Sequence, residues 1–544
     1  MLKISRQIVI VAFVAAACVL SALVTGALAA ETPKRGGILK FMVGAAGPRS
    51  FDGHRQGSFA SIHVTAPFYS VLIRVNPENP ASVTDFVCDL CTAMPKPIDS
   101  RKKYTFHIRK NVRFHDGSPL TAHDIAASFS KIIFPPKGVT SRRKAMFSMV
   151  KRVHAPDGFT VVFELKYTSA AFIPALANPF NFIYSKSVLD KDIHWYEKNV
   201  MGSGPFRFKR FKRGPPGTFI EGVRNPDYYH ESKPYLDGFR AIYEKQQSKR
   251  VNAIRKGTAW IEFRGFPPRI RDRLKRALGD QITIQQSDWN CALQVVPNHR
   301  AKPFDDPRVR RALTLAIDRW GDAKRLSRIA ILKTVGGIVF PAHPLAATTD
   351  ELEKIAGYWP DLEKSRAEAR KLLTEAGYPN GLEFTLHNRA TDQPYKIAGT
   401  WLIGQWKKVG FRVKHWVQPT KAFYTTLKTK KDFQVSVLAF CGQVVNPLLD
   451  VHRFLSKSRS ISNWGNYDDP ELDKLYDTMN RSPDPAEQRR IMRKFEKRTL
   501  GEEAHHIIVL WWYRIIPHRS IVRGWKISPN HYTNQDLGTV WLAE

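Results

Sequence analysis

Apolar residues fall along this chain in one long run followed by short stretches of two periods. The run spans residues 8–24, follows Lys3 and Arg6, and is succeeded by Ala27-Leu28-Ala29, the small-residue pattern a signal peptidase accepts. It predicts a cleavable leader over residues 1–29, and hence export. A retained anchor is the alternative, because the run is long enough to span a bilayer. Cys18 invites a lipoprotein reading, but Ala15-Ala16-Ala17 lacks the leucine-rich lead-in of such a site. No later stretch is long and apolar enough to span.

After the leader the period alternates between two and 3.6 residues. Residues 36–43 read as a first strand, and residues 103–109 alternate together with Arg113 and Phe114 as a hairpin whose turn is Asp116-Gly117. Thr121 with Asp124 forms a capping-box pattern that opens a helix over 122–133. Asp306 before Pro307 opens another, and Ser365 with Glu368 opens a third that Gly377 closes. Asp469-Pro470 starts a helix to residue 479, and residues 485–500 form a long late one. Strands over 383–387, 412–416 and 434–440 alternate with these helices, the pattern of α/β lobes. The pairs Pro135-Pro136, Pro215-Pro216 and Pro267-Pro268 read as surface turns.

Length and charge sharpen this picture. A chain of 544 residues, less its leader, exceeds what one hydrophobic core organises, so two or three lobes are expected. A hydrophobic content of 43% excludes disorder. The formal net charge is +36, and losing Lys3 and Arg6 with the leader leaves about +34. Such a field draws anionic ligands and polyanions; it speaks to association and not to fold. Basic clusters at 209–213, 269–276 and 308–311 suggest nucleic acid, but the last lies opposite an apolar helix face of Val309, Ala312, Leu313, Ala316 and Ile317 and is simply its wet side. The leader also sends the chain away from such partners, so none is expected.

Five cysteines include one in the leader. Cys88, Cys91, Cys291 and Cys441 remain, an even number that reads as disulfides in an oxidising compartment, with three pairings open. Cys88-Asp89-Leu90-Cys91 has the spacing of a redox motif or half a zinc site. With no second pair beside it, a local bridge is expected.

Four stretches occur in fixed order: Gly36-Gly37-Ile38-Leu39; residues 104–109 running into Phe114-His115-Asp116-Gly117; Gly202-Ser203-Gly204-Pro205-Phe206 leading to Asn225-Pro226-Asp227-Tyr228; and residues 304–313, beginning Phe304-Asp305-Asp306-Pro307. Together they resemble the bacterial extracellular solute-binding proteins of family 5, the periplasmic oligopeptide-, dipeptide-, opine- and nickel-binding components of ABC importers, over nearly all of the chain. The resemblance implies an α/β, periplasmic-binding-protein-like two-lobed clamshell with a third, inserted α/β domain. Lobe I would take residues 30–68, 192–290 and 510–544, the inserted domain II residues 69–191, and lobe III residues 291–509. It also implies a disulfide between Cys291 and Cys441.

Peptide-binding members place an aspartate two residues after the second of these cysteines, where it pairs with the ligand's α-ammonium group. That position is Gln443 here. An amide cannot neutralise an ammonium, and a buried charge without its partner costs roughly 3–5 kcal/mol. Free-amine peptides are therefore not the expected ligands unless another carboxylate such as Asp450 takes over. Around this position the resemblance places Ser58, Phe59, Trp289, Asn290, Lys428, Phe440, Gly442 and Gln443 on the walls of the ligand cleft. Lys421 and Lys428, with the positive field, favour a carboxylate or phosphate on the solute.

No catalytic constellation accompanies these residues. Gly202-Ser203-Gly204 lacks the spacing of a nucleophile elbow, and neither a phosphate-cradling glycine loop nor a His-Glu-x-x-His motif occurs. His505-His506 are badly placed for joint chelation and read as structural. The expectation is a periplasmic receptor, not an enzyme. It would need no cofactor and no metal, bind one small or peptide-like solute, dock as a monomer on an inner-membrane ABC permease, and bind no nucleic acid. The rivals are a nickel-chelate receptor of the same family, an envelope enzyme and a polyanion-binding envelope protein.

Overall fold

The computed structural model describes residues 31–215 and 217–543; the predicted leader, with Cys18, lies outside the described residues. Among these residues no helix is long and apolar enough to cross a membrane.

The chain leaves its first sheet, builds a second, and returns. β1 (Ile38–Val43) precedes an excursion carrying β2 (Lys103–His107), β3 (Val150–Asp157) and β4 (Thr160–Leu165). β5 (Phe206–Lys212), β6 (Thr218–Arg224) and β7 (Gly238–Tyr243) then complete the first sheet in the order β1-β7-β6-β5, with β7 parallel to β1. The excursion has its own antiparallel sheet, β2-β4-β3. The rest of the chain supplies β8 (Ile282–Pro297), β9 (Leu332–Thr334), β10 (Leu382–Arg389), β11 (Phe411–Gln418), β12 (Val435–Cys441) and β13 (Ile507–Arg519), ordered β9-β13-β8-β12-β10-β11. The molecule is a two-lobed α/β clamshell with a third α/β domain inserted in the first lobe.

β8 and β13 join the lobes. The first half of β8 pairs only with β13, from Ile282 opposite Arg519 to Trp289 opposite Trp512. This ribbon docks on the first lobe, where Phe266 N donates to Ile515 O at 2.9 Å and Arg519 N to Trp260 O at 2.8 Å. From Ala292, opposite Trp511, the same two strands continue into the six-stranded sheet, and β12 joins from the other side. The sequence carries both environments. β8 begins with alternating Ile282 and Ile284 among polar residues and ends in a continuous buried stretch, as a strand covered on both faces should. Between the halves Asn290 and Cys291 face no residue of β13, a local break of the bulge kind that bends a strand.

Two of the four sequence stretches meet on the seam between the first lobe and the inserted domain. His115 N donates to Gly202 O at 2.7 Å, and its ring lies 3.1 Å from Gly204 O. A Cβ at Gly202 would lie 2.1 Å from Phe68 O, and one at Gly204 2.5 Å from the Phe68 carbonyl carbon. Glycine is required at both positions because the backbones touch. Beside this seam, Lys131 from the helix Ala122–Ile133 reaches Asp52 of the first lobe at 2.7 Å, with both side chains buried. Tyr184 Oη also donates to Asp52. Although burial pushes the Asp52 carboxyl up, His54 and Lys131 together hold it below its ordinary value.

Several local expectations need correction. β2 pairs with β4, Tyr104 opposite Phe163, and not with residues 113–114. The Phe114–Ser118 segment instead closes on itself, with Phe114 N donating to Ser118 O at 2.8 Å. The helix expected to start at Ser365 runs over Leu362–Glu375 and is capped by Asp361, which accepts from Lys364 N at 2.9 Å. Ser365 lies inside it and donates its hydroxyl to Leu315 O. Asp361 wins because an acceptor aimed at free N–H groups one turn earlier adds a turn of helix. The caps at Thr121, Asp306 and Asp469 stand as read, and Asp306 accepts from Arg308 N at 2.8 Å.

Removing the Lys131 charge while leaving Asp52 ionised should cost about 3–5 kcal/mol. Chemical denaturation of Lys131→Met against the parent measures this, and adding Asp52→Asn should recover most of the loss.

Candidate functional site

A cavity of about 380 Å³ opens where the lobes and the inserted domain meet. Gly57 reaches it from the first lobe, Arg142 and Met146 from the inserted domain, and Gly442, Gln443, Asp450 and Arg453 from the second lobe. Its position follows from the break in β8. Cys291 stands opposite Cys441 at the end of β12, and the two are joined by a disulfide that closes a 150-residue span. The chain beyond Cys441 is thereby held at the mouth of the ribbon, where Gly442 N donates to Asn290 O and Asn530 Nδ2 to Gly442 O. A Cβ at Gly442 would lie 2.5 Å from Asp450 Oδ1 and 2.6 Å from Asn290 Nδ2.

Gln443 faces across this junction. Its Oε1 accepts from Asn178 Nδ2 at 3.0 Å, and its Nε2 lies 2.9 Å from where a Cβ on Gly57 would stand. Arg142 is laid over the same turn, donating Nε to Arg55 O at 3.0 Å. The amide thus bridges all three parts of the molecule.

Asp450, the one carboxylate on this wall, is a poor seat for an ammonium. Burial pushes its carboxyl up to about 7 against the pull of Arg453. Arg453 already lies beside it, 3.5 Å from Oδ1, with its guanidinium 4.2 Å over the Phe440 ring. The Asn290 amide, also buried, lies against Asp450 and Gly442.

The other residues expected on the cleft walls are distributed unevenly. Trp289 is 2% exposed, donates Nε1 to His531 Nδ1 at 2.8 Å and stacks edge-on against Trp512, so it lies in the core behind the cavity. Phe440 is likewise enclosed, against Trp511 and Phe454. Ser58 is exposed at the head of the helix Phe59–Thr65, next to Gly57, and Phe59 is half-buried beneath Arg264. Lys428 is exposed, with its ammonium 5.1 Å from the Tyr424 ring and 5.5 Å from that of Trp464; partial burial and the nearby Arg142 lower its pKa. Lys421 is exposed. Sequence reasoning missed Asn178 and Arg142, whose only signal is a polar residue in an otherwise ordinary loop.

Cys88 and Cys91 are joined to each other. Among the described residues the sulfurs of Cys291 and Cys441 cluster with His531 in the manner of metal ligands, but the disulfide leaves no thiolate there. His505 and His506 are buried, His505 on Asp469 at 2.9 Å and His506 on Gln294 at 3.0 Å.

Comparison with known proteins gives a consistent answer. A family profile described as bacterial extracellular solute-binding proteins, family 5 Middle, matches residues 85–462. The periplasmic oligopeptide-binding protein OppA of Salmonella typhimurium is 24% identical over 80% of this chain and 80% of its own. Among solved structures, the ABC transporter-associated periplasmic binding protein DppA from Helicobacter pylori, in complex with the peptide STSA, superposes with a TM-score of 0.78 at 23% identity, covering 94% of this chain and 99% of that one. AgaA from A. tumefaciens R10, in complex with agropinic acid, gives 0.75 at 22% identity, covering 93% and 99%.

The raised Asp450 carboxyl fixes a pH dependence. Between its ordinary value of 3.8 and about 7 the folded state keeps a proton that the unfolded state has lost. Stability from this group is therefore full below 3.8 and falls as pH rises through 7. Melting curves from pH 4 to 8 should show Asp450→Asn gaining on the parent as pH rises, with the gain levelling above pH 7.

Proposed function

The chain belongs to the bacterial extracellular solute-binding proteins of family 5, and on that premise we propose that it is the periplasmic receptor of an ABC importer for a small solute without a free α-ammonium group. Members of the family are solute-binding receptors that work with ABC permeases, not enzymes. The two lobes close on one solute by bending at the break in β8, and the closed form docks on an inner-membrane permease. An affinity near micromolar corresponds to about −8 kcal/mol, enough to capture scarce solute and release it on docking.

The observation that carries the solute class is Gln443. It supplies an uncharged amide at the junction of all three parts, and the neighbouring Asp450 is buried and already beside Arg453. An ammonium placed there would lose its water without gaining a full counter-charge. A peptide blocked at its amino end, an opine-like conjugate or another solute with no ammonium at this end avoids that penalty.

Native mass spectrometry of the protein taken from its own periplasm should show one small non-covalent solute per chain, recovered chemically unchanged. A solute recovered altered after incubation would point to an enzyme. Calorimetry supplies the second test. Gln443→Asp should improve binding of a free-amine peptide relative to its N-acetylated form by about 10²- to 10³-fold, the converse of the penalty for an unpaired charge. Preference of the unmodified protein for free-amine peptides would contradict the solute class.

A further inference from the structure

Beside the Gln443 cavity stands a group of cations that the receptor reading leaves unexplained. Arg264, in the first lobe between β7 and the ribbon, has its guanidinium 4.4 Å over the Phe59 ring, and its Nε is buried without a partner. The nearby Glu262 is already engaged by Arg250 at 2.7 Å. From the second lobe, Arg389 at the end of β10 lies 3.9 Å over Tyr395 and donates Nη1 to Tyr424 Oη at 3.0 Å, with its Nε also buried and unpartnered. Lys428 lies 5.1 Å from the same Tyr424 ring, within the field of Arg142 of the inserted domain. Tyr532 stands within the fields of both Arg264 and Arg142.

Elsewhere in the molecule the buried cations have acceptors: Lys131 has Asp52 and Arg250 has Glu262, while Arg319 donates to the carbonyls of Ile508 and Gly357 and Arg514 to those of Phe263 and Ser528. Among the described residues none of Arg142, Arg264, Arg389 and Lys428 forms an ion pair, although they come from three different parts of the chain and face one another. Bringing like charges together in a partly desolvated cleft opposes closure. Burial, with Arg389 contributing, holds the Arg264 guanidinium below its usual range. Apart from Glu262, which Arg250 already engages, the groups around these cations include Tyr395, Tyr424 and Tyr532, whose hydroxyls are able to donate to an anion.

Resting on the receptor reading, we propose that Arg264, Arg389, Arg142 and Lys428 form the seat of a compact polyanionic group on the solute, a phosphate or a pair of carboxylates, and that this group supplies the counter-charge that lets the lobes close. Guanidinium pairs suit such groups because their donors match two oxygens at once. The positive field of the whole chain concentrates anions at the cleft mouth. The solute then has an acidic end at the arginines and an uncharged end at Gln443. A neutral solute would leave the repulsion in place and would close the lobes weakly.

Inorganic pyrophosphate and succinate, added to the full secreted protein at constant ionic strength, separate the phosphate and dicarboxylate forms of this seat. At least one of them should raise the melting midpoint and reduce the radius of gyration measured by X-ray scattering. Arg264→Gln and Arg389→Gln should each raise the half-effective concentration at least tenfold, while Arg273→Gln on an exposed helix should leave it unchanged. Lys428→Gln, at an exposed position that does not threaten folding, should raise it severalfold. No response to either probe, or an equal response in the Arg264→Gln/Arg389→Gln double variant and in Arg273→Gln, would overturn the proposal. Cargo identified by native mass spectrometry divides the two readings. A cleft-bound solute without an acidic group would sink the polyanion seat and leave the receptor standing.

Discussion

The structure depends on one antiparallel pair of strands, β8 and β13, that belongs to both lobes at once. Its outer half is anchored to the first lobe through residues 260–266, and its inner half is the centre of the six-stranded sheet. Paired backbone resists stretching and shear but bends where pairing is interrupted, and here it is interrupted over Asn290 and Cys291 at the lobe boundary and shifts register again between Leu293 and Gln294. The disulfide from Cys291 to Cys441 ties the last residue of β12 to that bend. A closure that bends there would pass under the segment that carries Gln443.

This arrangement explains why the cavity is polar and why its residues come from distant parts of the chain. Gly442 must lack a side chain because the Asn290 amide and the Asp450 carboxyl already occupy the space. Gln443 then spans to Asn178 and past Gly57, so the amide touches the inserted domain and approaches the first lobe from the second. A solute that replaced the Asn178 contact would meet groups from every part of the molecule. That is the geometry a receptor needs if binding is to be felt as closure.

The fold was legible in the sequence to the extent that local rules decide it. Caps at Thr121, Asp306 and Asp469 mark helix starts because their side chains satisfy backbone groups a few residues away. Ser365 misled because the competing acceptor, Asp361, lies one turn earlier and fills the same role. The 103–109 strand was recognised, but not its partner, since pairing with 160–165 depends on tertiary packing and not on the nearest alternation. For the site, the motif placed Gln443, Gly442 and the two cysteines, all fixed by backbone geometry near one disulfide. Trp289 and Phe440, expected on the cleft walls, pack their rings inward. Arg264, Arg389 and Arg142 were hidden among 85 basic residues, and only three-dimensional placement shows that they lack carboxylates.

The central claim is that one solute is enclosed between the lobes at the Gln443 junction, and a crystal structure of the protein carrying cargo retained from its own periplasm tests it most directly. The account predicts density for a single small molecule lying between the two lobes, within hydrogen-bonding distance of the Gln443 amide and with side chains of both lobes around it. Cargo bound on an outer surface, or held by one lobe alone and away from Gln443, would contradict it.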